Sequence, residues 1–237
     1  MYISPAARLQ YWKPNIYRLE RSLFDAASLL VRPGDTVWDV GANAGVFAVA
    51  AAGRAGASGR VMAFEADVWL ANLVARTARS LNSNYAPVDV VSIAMADKLG
   101  FSEFAIASRS RAANYLIKAG GSTQAGGVRA TYRVLTFSPD ELLKITDAPQ
   151  VVKMDIESAE MMAFSSGARL LNEVRPRIIC EVNVRNREAI AKLFQASDYV
   201  LFDADGLAGG ARRLDVASLN TLFIPSDDPL ISEIEKT

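Results

Sequence analysis

The chain contains no histidine and a single cysteine, Cys180. The first absence removes the commonest general base from any mechanism the protein could use. The second rules out a disulfide within the chain, so nothing in it calls for an oxidising compartment. Cys180 stands in the apolar run Ile178-Ile179-Cys180, the setting of a buried core thiol rather than a nucleophile. An excess of either charge is also missing. Lys+Arg and Asp+Glu number 26 each, which gives no global field to attract nucleic acid or an anionic membrane. No stretch approaches the roughly 20 apolar residues that span a bilayer, and the opening MYISPAARLQ lacks the long apolar segment of a secretory signal. The expectation is a cytoplasmic protein acting on a small-molecule substrate, with no nucleic-acid or membrane partner. Oligomeric state is not legible.

What is present is 237 residues, 51% of them hydrophobic, enough for one sizeable core. Ala6 to Leu30 reads as helical with a break at Pro14, and Leu19, Leu23, Ala26, Ala27 and Leu30 form one stripe. After the turn Arg32-Pro33-Gly34-Asp35, short apolar strands and helical segments alternate. Strands are expected at Thr36–Val40, Val61–Glu65, Val88–Ile93, Val151–Asp155, Arg177–Val182, Tyr199–Asp203 and Thr221–Ile224. Helices are expected at Val46–Ala55, after a cap at Asp67, after the capping box Ser138-Pro139-Asp140-Glu141, at Ala159–Leu171 and at Arg187–Ser197.

The alternation predicts an α/β fold with a doubly wound, mostly parallel sheet. Two closing strands without a helix between them predict an antiparallel edge strand. Strand-like Phe101–Ala107 and Val128–Leu135 flank glycine-paired RSRAANYLIKAGGSTQAGG, which predicts an inserted β-hairpin, either a solvated loop or a lid. The organisation is then an N-terminal helical extension, 1–33, and a main domain, 34–237, with its insertion at about 100–135.

VWDVGANAGVFA, Val37 to Ala48, runs a strand into a glycine-bearing turn and a helix. Parallel sheets bind ligands at such strand ends. A phosphate loop would need Gly-Lys-Ser/Thr, and Gly45 is followed by Val46 and Phe47. A dinucleotide fingerprint needs G-x-G-x-x-G, whereas Gly41-Ala42-Asn43-Ala44-Gly45 has Asn in place of the second glycine and lacks the third, which disfavours NAD. S-adenosylmethionine carries no phosphate and suits the corner better. Asp39 offers negative charge to its cationic end, and Glu65, closing the second strand, can accept from a ribose diol. The plainer alternatives are a turn-capping Asp39 and a surface Glu65.

VWDVGANAG, MAFEAD, VVKMDIESAEMMAFSSG and RPRIICEVN, in that order, resemble the FkbM family of methyltransferases from about Gly34 to Val200. The resemblance implies a seven-stranded Rossmann-like methyltransferase sheet, S-adenosylmethionine as methyl donor, and typically O-methylation of sugars or secondary metabolites. It assigns Asp39, Gly41, Ala42, Asn43 and Gly45 to the methionine-side turn, Glu65 with Ala66 to the ribose side, and Asp97 to the adenine amino group. Lys153, Asp155, Glu157 and Glu160 match the family's acidic motif, and Glu181 its later glutamate. Ser158 stands where the family has glycine, and Ala66 where it has proline.

Methyl transfer to a hydroxyl needs alignment and a base. With no histidine, the candidate catalytic groups are Asp155, Glu157 and Glu181. Glu160 is expected at a helix start, and Lys153 is expected to pair with a carboxylate. Asp155, Glu181 and Asn183 are oxygen donors that would suit Mg²⁺ if they met. Tyr11, Trp12, Tyr17 and Trp69 are candidate pocket aromatics, with core packing the plainer reading, and Arg109, Arg111 and Lys118 are candidate contacts for an anionic substrate, with a solvated loop face the plainer reading.

Overall fold

In a computed structural model, residues 1–4, 7, 20–120, 126–209 and 211–236 are described. Of the expected N-terminal helix only α1, Arg21–Leu30, falls fully within them, with Ala26, Ala27 and Leu30 buried. Tyr11, Trp12 and Tyr17 lie outside the described residues.

Five strands run parallel: β1 (Thr36–Val40), β2 (Arg60–Phe64), β3 (Val88–Val91), β8 (Val151–Met154) and β9 (Arg177–Glu181). With β10 (Tyr199–Asp203), β11 (Arg213–Leu214) and β12 (Asn220–Pro225) they make an eight-stranded sheet of order β11-β10-β12-β9-β8-β1-β2-β3. The expected antiparallel edge is present, with β11 antiparallel to β10, and β12 runs antiparallel to both its neighbours two places inward, between β9 and β10. Two-residue β11 closes that edge and is the strand beyond the expected seven. Chain order alone does not reveal this, because β12 is a continuous buried run, Thr221 to Pro225, that can pair on either side.

Helices cover both faces. α1, α2 (Val46–Ala55) and α7 (Leu230–Ile234) pack on the side carrying Val37, Val61 and Val151. α2 turns Phe47 and its alanines 48, 51, 52 and 55 inward. Methyl-sized side chains let its backbone lie close to the sheet while Phe47 supplies the bulk, worth about 1.5–3 kcal/mol on burial. The opposite face carries Trp38, Val40, Val152 and Met154 under α5 (Glu160–Ser165) and α6 (Arg187–Ala196). There Phe194 stacks on Phe223 at 3.9 Å between ring centroids and meets Phe164 and Tyr199 edge-on. α4, Pro139–Leu142, has the expected capping box, with Ser138 and Glu141 reciprocally bonded.

The insertion is larger than a hairpin. β4 (Ala94–Met95), β5 (Gly100–Ala107), β6 (Tyr115–Leu116) and β7 (Val128–Phe137) form a second sheet, β4-β7-β5-β6. Its long element is the antiparallel β5–β7 pair. Short β4 pairs parallel with β7 and so roots the insertion beside β3. Among the described residues no helix is long and apolar enough to cross a membrane.

Candidate functional site

A cleft opens at the carboxyl ends of β1, β2 and β8, enclosing about 570 Å³ with its mouth included. Gly41, Asn43, Glu65, Ala66, Asp155 and Glu157 line it. The insertion contributes Phe104, Arg111, Ala112, Asn114 and Leu116, and Ile93 and Met95 complete an apolar flank.

The glycine turn is shaped by the protein's own packing. Gly41 has φ +74°, and a Cβ there would lie 1.8 Å from the Asp155 carbonyl oxygen. Gly45 has φ +78°, and its Cβ would meet Val74 at 3.0 Å. Glycine is therefore required where the turn crosses β8 and α3 (Val68–Ala78), whatever the ligand. Ala42 is buried outside the cleft wall, and its N–H and that of Gly41 donate to the Phe64 carbonyl.

Glu65 is buried rather than on the surface. One carboxylate oxygen accepts from the Asn43 N–H at 2.7 Å and the other from the Asp67 N–H at 2.8 Å. It therefore ties the glycine turn to the start of α3 while lining the cleft. Burial pushes its pKa up to about 7 against those hydrogen bonds. Asn43 Oδ1 is buried and accepts no hydrogen bond among the described residues. That acceptor, on the cleft-lining Asn43, is free for an N–H donor, and the ammonium of S-adenosylmethionine is such a donor. With Glu65 beside it, the site fits that cofactor.

Asp39 lies behind the cleft wall, fully buried. Strand register places it directly opposite Lys153 on β8, and Lys153 Nζ sits 3.4 Å from Asp39 Oδ1 and 3.8 Å from Asp155 Oδ2. The same ammonium donates to the Gly41 carbonyl at 2.7 Å. Burial raises the Asp39 pKa, offset in part by Lys153. Burial also opposes the Lys153 cation, but Asp39 and Asp155 outweigh it and hold its pKa above the ordinary value. Asp39 thus anchors the cation that supports the turn.

Asp155 and Glu157 face the cleft from the loop after β8. Glu157 and Ser158 both adopt left-handed backbone, at φ +49° and +81°. Ser158 therefore occupies a conformation that suits the glycine it replaces. Glu160, at the start of α5, accepts from the N–H groups of Ile156 and Ser158, bracing this turn from beneath. Glu157 has no hydrogen-bond or ion-pair partner among the described residues. Burial, then the negative charges of Asp155, Glu181 and Glu160, push its pKa up to about 8. Glu181 is exposed at the end of β9, outside the cleft lining but near enough to act on Glu157 through space.

Two expectations lie elsewhere. Asp97 is outside the cleft lining and pairs with Lys118 of the insertion at 2.6 Å. The metal reading of Asp155, Glu181 and Asn183 gains no support. Among the described residues no group of three or more His, Cys, Asp or Glu side chains is arranged to hold a metal. Asn183 is already engaged at both ends, Nδ2 donating to Ser158 Oγ at 2.9 Å and Oδ1 accepting from the Arg185 N–H at 3.1 Å.

Arg111, a candidate contact for an anionic substrate, is engaged by Asp67 instead, and Asn114, which the sequence did not single out, joins it there. Asp67 caps α3 by accepting from the Trp69 N–H. Its other oxygen takes Arg111 Nη1 and, at 2.9 Å, Asn114 Nδ2. Arg111 also stacks over Trp69. The available signal was Asp67 itself, a cap carboxylate with an oxygen to spare. The insertion is thereby latched over the cleft rather than held in solvent. Asn114 Oδ1 also accepts from the buried Ala107 N–H at 2.9 Å. Asn114→Ala should therefore cost about 1–3 kcal/mol by leaving buried polar groups unpaired. In hydrogen exchange, protection lost at Ala107 but retained in β1 would locate that loss in the latch.

A parallel α/β sheet with a capped glycine turn, an acidic strand end and a lidded cleft defines a Rossmann-like methyltransferase. The family described as Methyltransferase FkbM domain matches residues 39–205, and the chain belongs to that family. S-adenosylmethionine is the methyl donor that membership implies. No curated protein matches the chain. Among solved structures it is similar to a methyltransferase FkbM from Methylobacillus flagellatus, at 14% identity and TM-score 0.49 over 92% of this chain and 58% of that one. It is also similar to a SAM-dependent O-methyltransferase from Thermotoga maritima, at 12% identity and TM-score 0.46 over 91% and 68% of the two chains. A third is a SAM-dependent methyltransferase from Aquifex aeolicus, at 10% identity and TM-score 0.45 over 93% and 97%.

Proposed function

We propose that this methyltransferase methylates a hydroxyl oxygen of a small polar metabolite or sugar, with Glu157 as the general base. The observation that carries the reading is the contrast between two carboxylates in one cleft. Asp155 faces the Lys153 ammonium, whereas Glu157 faces no cation and its pKa is pushed up to about 8. A carboxyl kept away from cations and raised toward neutral pH is suited to take up a proton there. When bound, the donor supplies a methyl group on a sulfonium, which departs as a neutral thioether. Glu157 accepts the proton that the acceptor hydroxyl gives up as its oxygen bonds to that methyl. The Glu160-braced turn keeps Glu157 in place, and the latched insertion limits water.

The donor site is tested by calorimetric titration with S-adenosylmethionine and S-adenosylhomocysteine, with NAD as the control. Wild type should bind both sulfur nucleotides and not NAD. Glu65→Ala removes a ribose acceptor and unties the Asn43 turn, and should weaken binding roughly tenfold or more, about 1.4 kcal/mol. Undiminished affinity in that variant removes Glu65 from the donor site.

A further inference from the structure

A second cavity lies beside the first, enclosing about 520 Å³ with its mouth included. Lys118 of the insertion, Ser158, Met161 of α5, and Asn183, Arg185 and Asn186 after β9 wall it. Ser158 follows Glu157 directly, so the cavity adjoins the proposed base.

We infer that this cavity is the acceptor subsite, and that it selects a hydroxylated acceptor carrying an anionic group, either phosphate or carboxylate. The inference rests on the reading of Glu157 given above. Its ground is a separation of charge that the balanced overall composition hides. The first cleft is lined by Glu65, Asp155 and Glu157 and by one cation, Arg111, which Asp67 already holds, whereas the second has two cations in its wall and no carboxylate. Among the described residues the Arg185 guanidinium has no ion-pair or hydrogen-bond partner. The Asn183 cap sets the turn that presents it, Val184–Asn186, and the same Asn183 amide donates to Ser158 Oγ. A guanidinium on a braced turn is suited to gripping two oxygens of a phosphate or carboxylate at once. Lys118 is held by Asp97, but that pair is partly exposed, at 38% and 44%, and such pairs are worth little, so its ammonium is available to a stronger anion. Met161 offers an adaptable apolar surface for a carbon skeleton. The opposed charges also fix orientation. The acidic group is repelled from Asp155 and Glu157 and drawn to Arg185, which leaves the hydroxyl end facing the base.

The test titrates the full chain, loaded with S-adenosylhomocysteine, with glycerol 3-phosphate, glycerate and glycerol. One or both anions should bind and glycerol should not, and whichever anion binds names the group selected. Arg185→Gln should weaken that binding roughly tenfold or more, while Arg79→Gln, an exposed cation away from both cavities, should leave it unchanged. Equal binding of glycerol, equal affinity in Arg185→Gln, or no binding of any probe overturns the inference. The loading step separates the subsite from the donor site, and the probes read binding alone, so the role of Glu157 as base stands or falls separately on the rate and pH profile of Glu157→Gln. Failure of wild type to take up S-adenosylhomocysteine sinks the donor-site reading, whereas uptake followed by charge-blind or absent probe binding sinks the subsite alone.

Discussion

Glu157→Gln is expected to lower kcat by about two to four orders of magnitude, the usual contribution of a positioned general base. Affinity for S-adenosylhomocysteine should stay near wild type, because the glutamine keeps the shape of the turn and Glu65 and Asn43 are untouched. The pH profile makes the role specific. In wild type, burial and the surrounding carboxylates push the Glu157 pKa up to about 8. The active base is the deprotonated form, so kcat/KM should rise about tenfold per pH unit below that value and level off above it. The variant should lose this limb. Stability moves the other way. A carboxyl whose folded pKa lies above its unfolded one favours the folded state at low pH, and that favour is lost as pH rises from the unfolded value to about 8. Glu157→Gln should therefore gain stability relative to wild type across that window. A variant that loses activity and also unfolds more readily above pH 8 would instead mark Glu157 as a structural residue.

Lys153→Met should be among the most damaging single changes to folding. Asp39 is fully buried, and among the described residues neither of its oxygens has a hydrogen-bond partner of good geometry. Removing the ammonium beside it leaves an uncompensated buried charge, costing about 3–5 kcal/mol. The support of the Gly41 carbonyl is lost as well. The double variant Asp39→Asn/Lys153→Met should recover much of the loss, since it removes both charges. The sign of the pH effect follows from Asp39, whose pKa burial already raises. Its protonated form needs no cation, so the deficit of the single variant should shrink as pH falls toward the carboxylate range. Urea unfolding at about pH 5 and about pH 8 measures this, and a deficit independent of pH would show that the charge on Asp39 is not what Lys153 supports.

How far the site was legible depends on whether each residue acts through its neighbours in sequence. Strand β1 at Thr36–Val40, helix α2 at Val46–Ala55 and strand β10 at Tyr199–Asp203 have the bounds expected from pattern. Each is a short apolar run stopped by Gly or a polar turn, so local chemistry settles it. The helix expected over Ala159–Leu171 stops at Ser165, because Gly167 interrupts it before a wider turn at Leu170–Val174. Lys153 was expected to pair with a carboxylate. Alternation along one strand put Asp155 on its side, but Asp39, its nearer partner, is a register neighbour on another strand.

The sequence by itself determined the alternation of strands and helices, the family, the glycine corner and the acidic turn, because each lies within a few adjacent residues. The tertiary structure alone decided the rest. It set β12 between β9 and β10, buried Glu65 under two backbone N–H groups, and sent Asp97 to Lys118 rather than to the cleft wall. It also folded Arg111 and Asn114 back onto Asp67, more than forty positions away. Contacts across such separations depend on which strand ends and loops the sheet brings together. No local pattern carries that information.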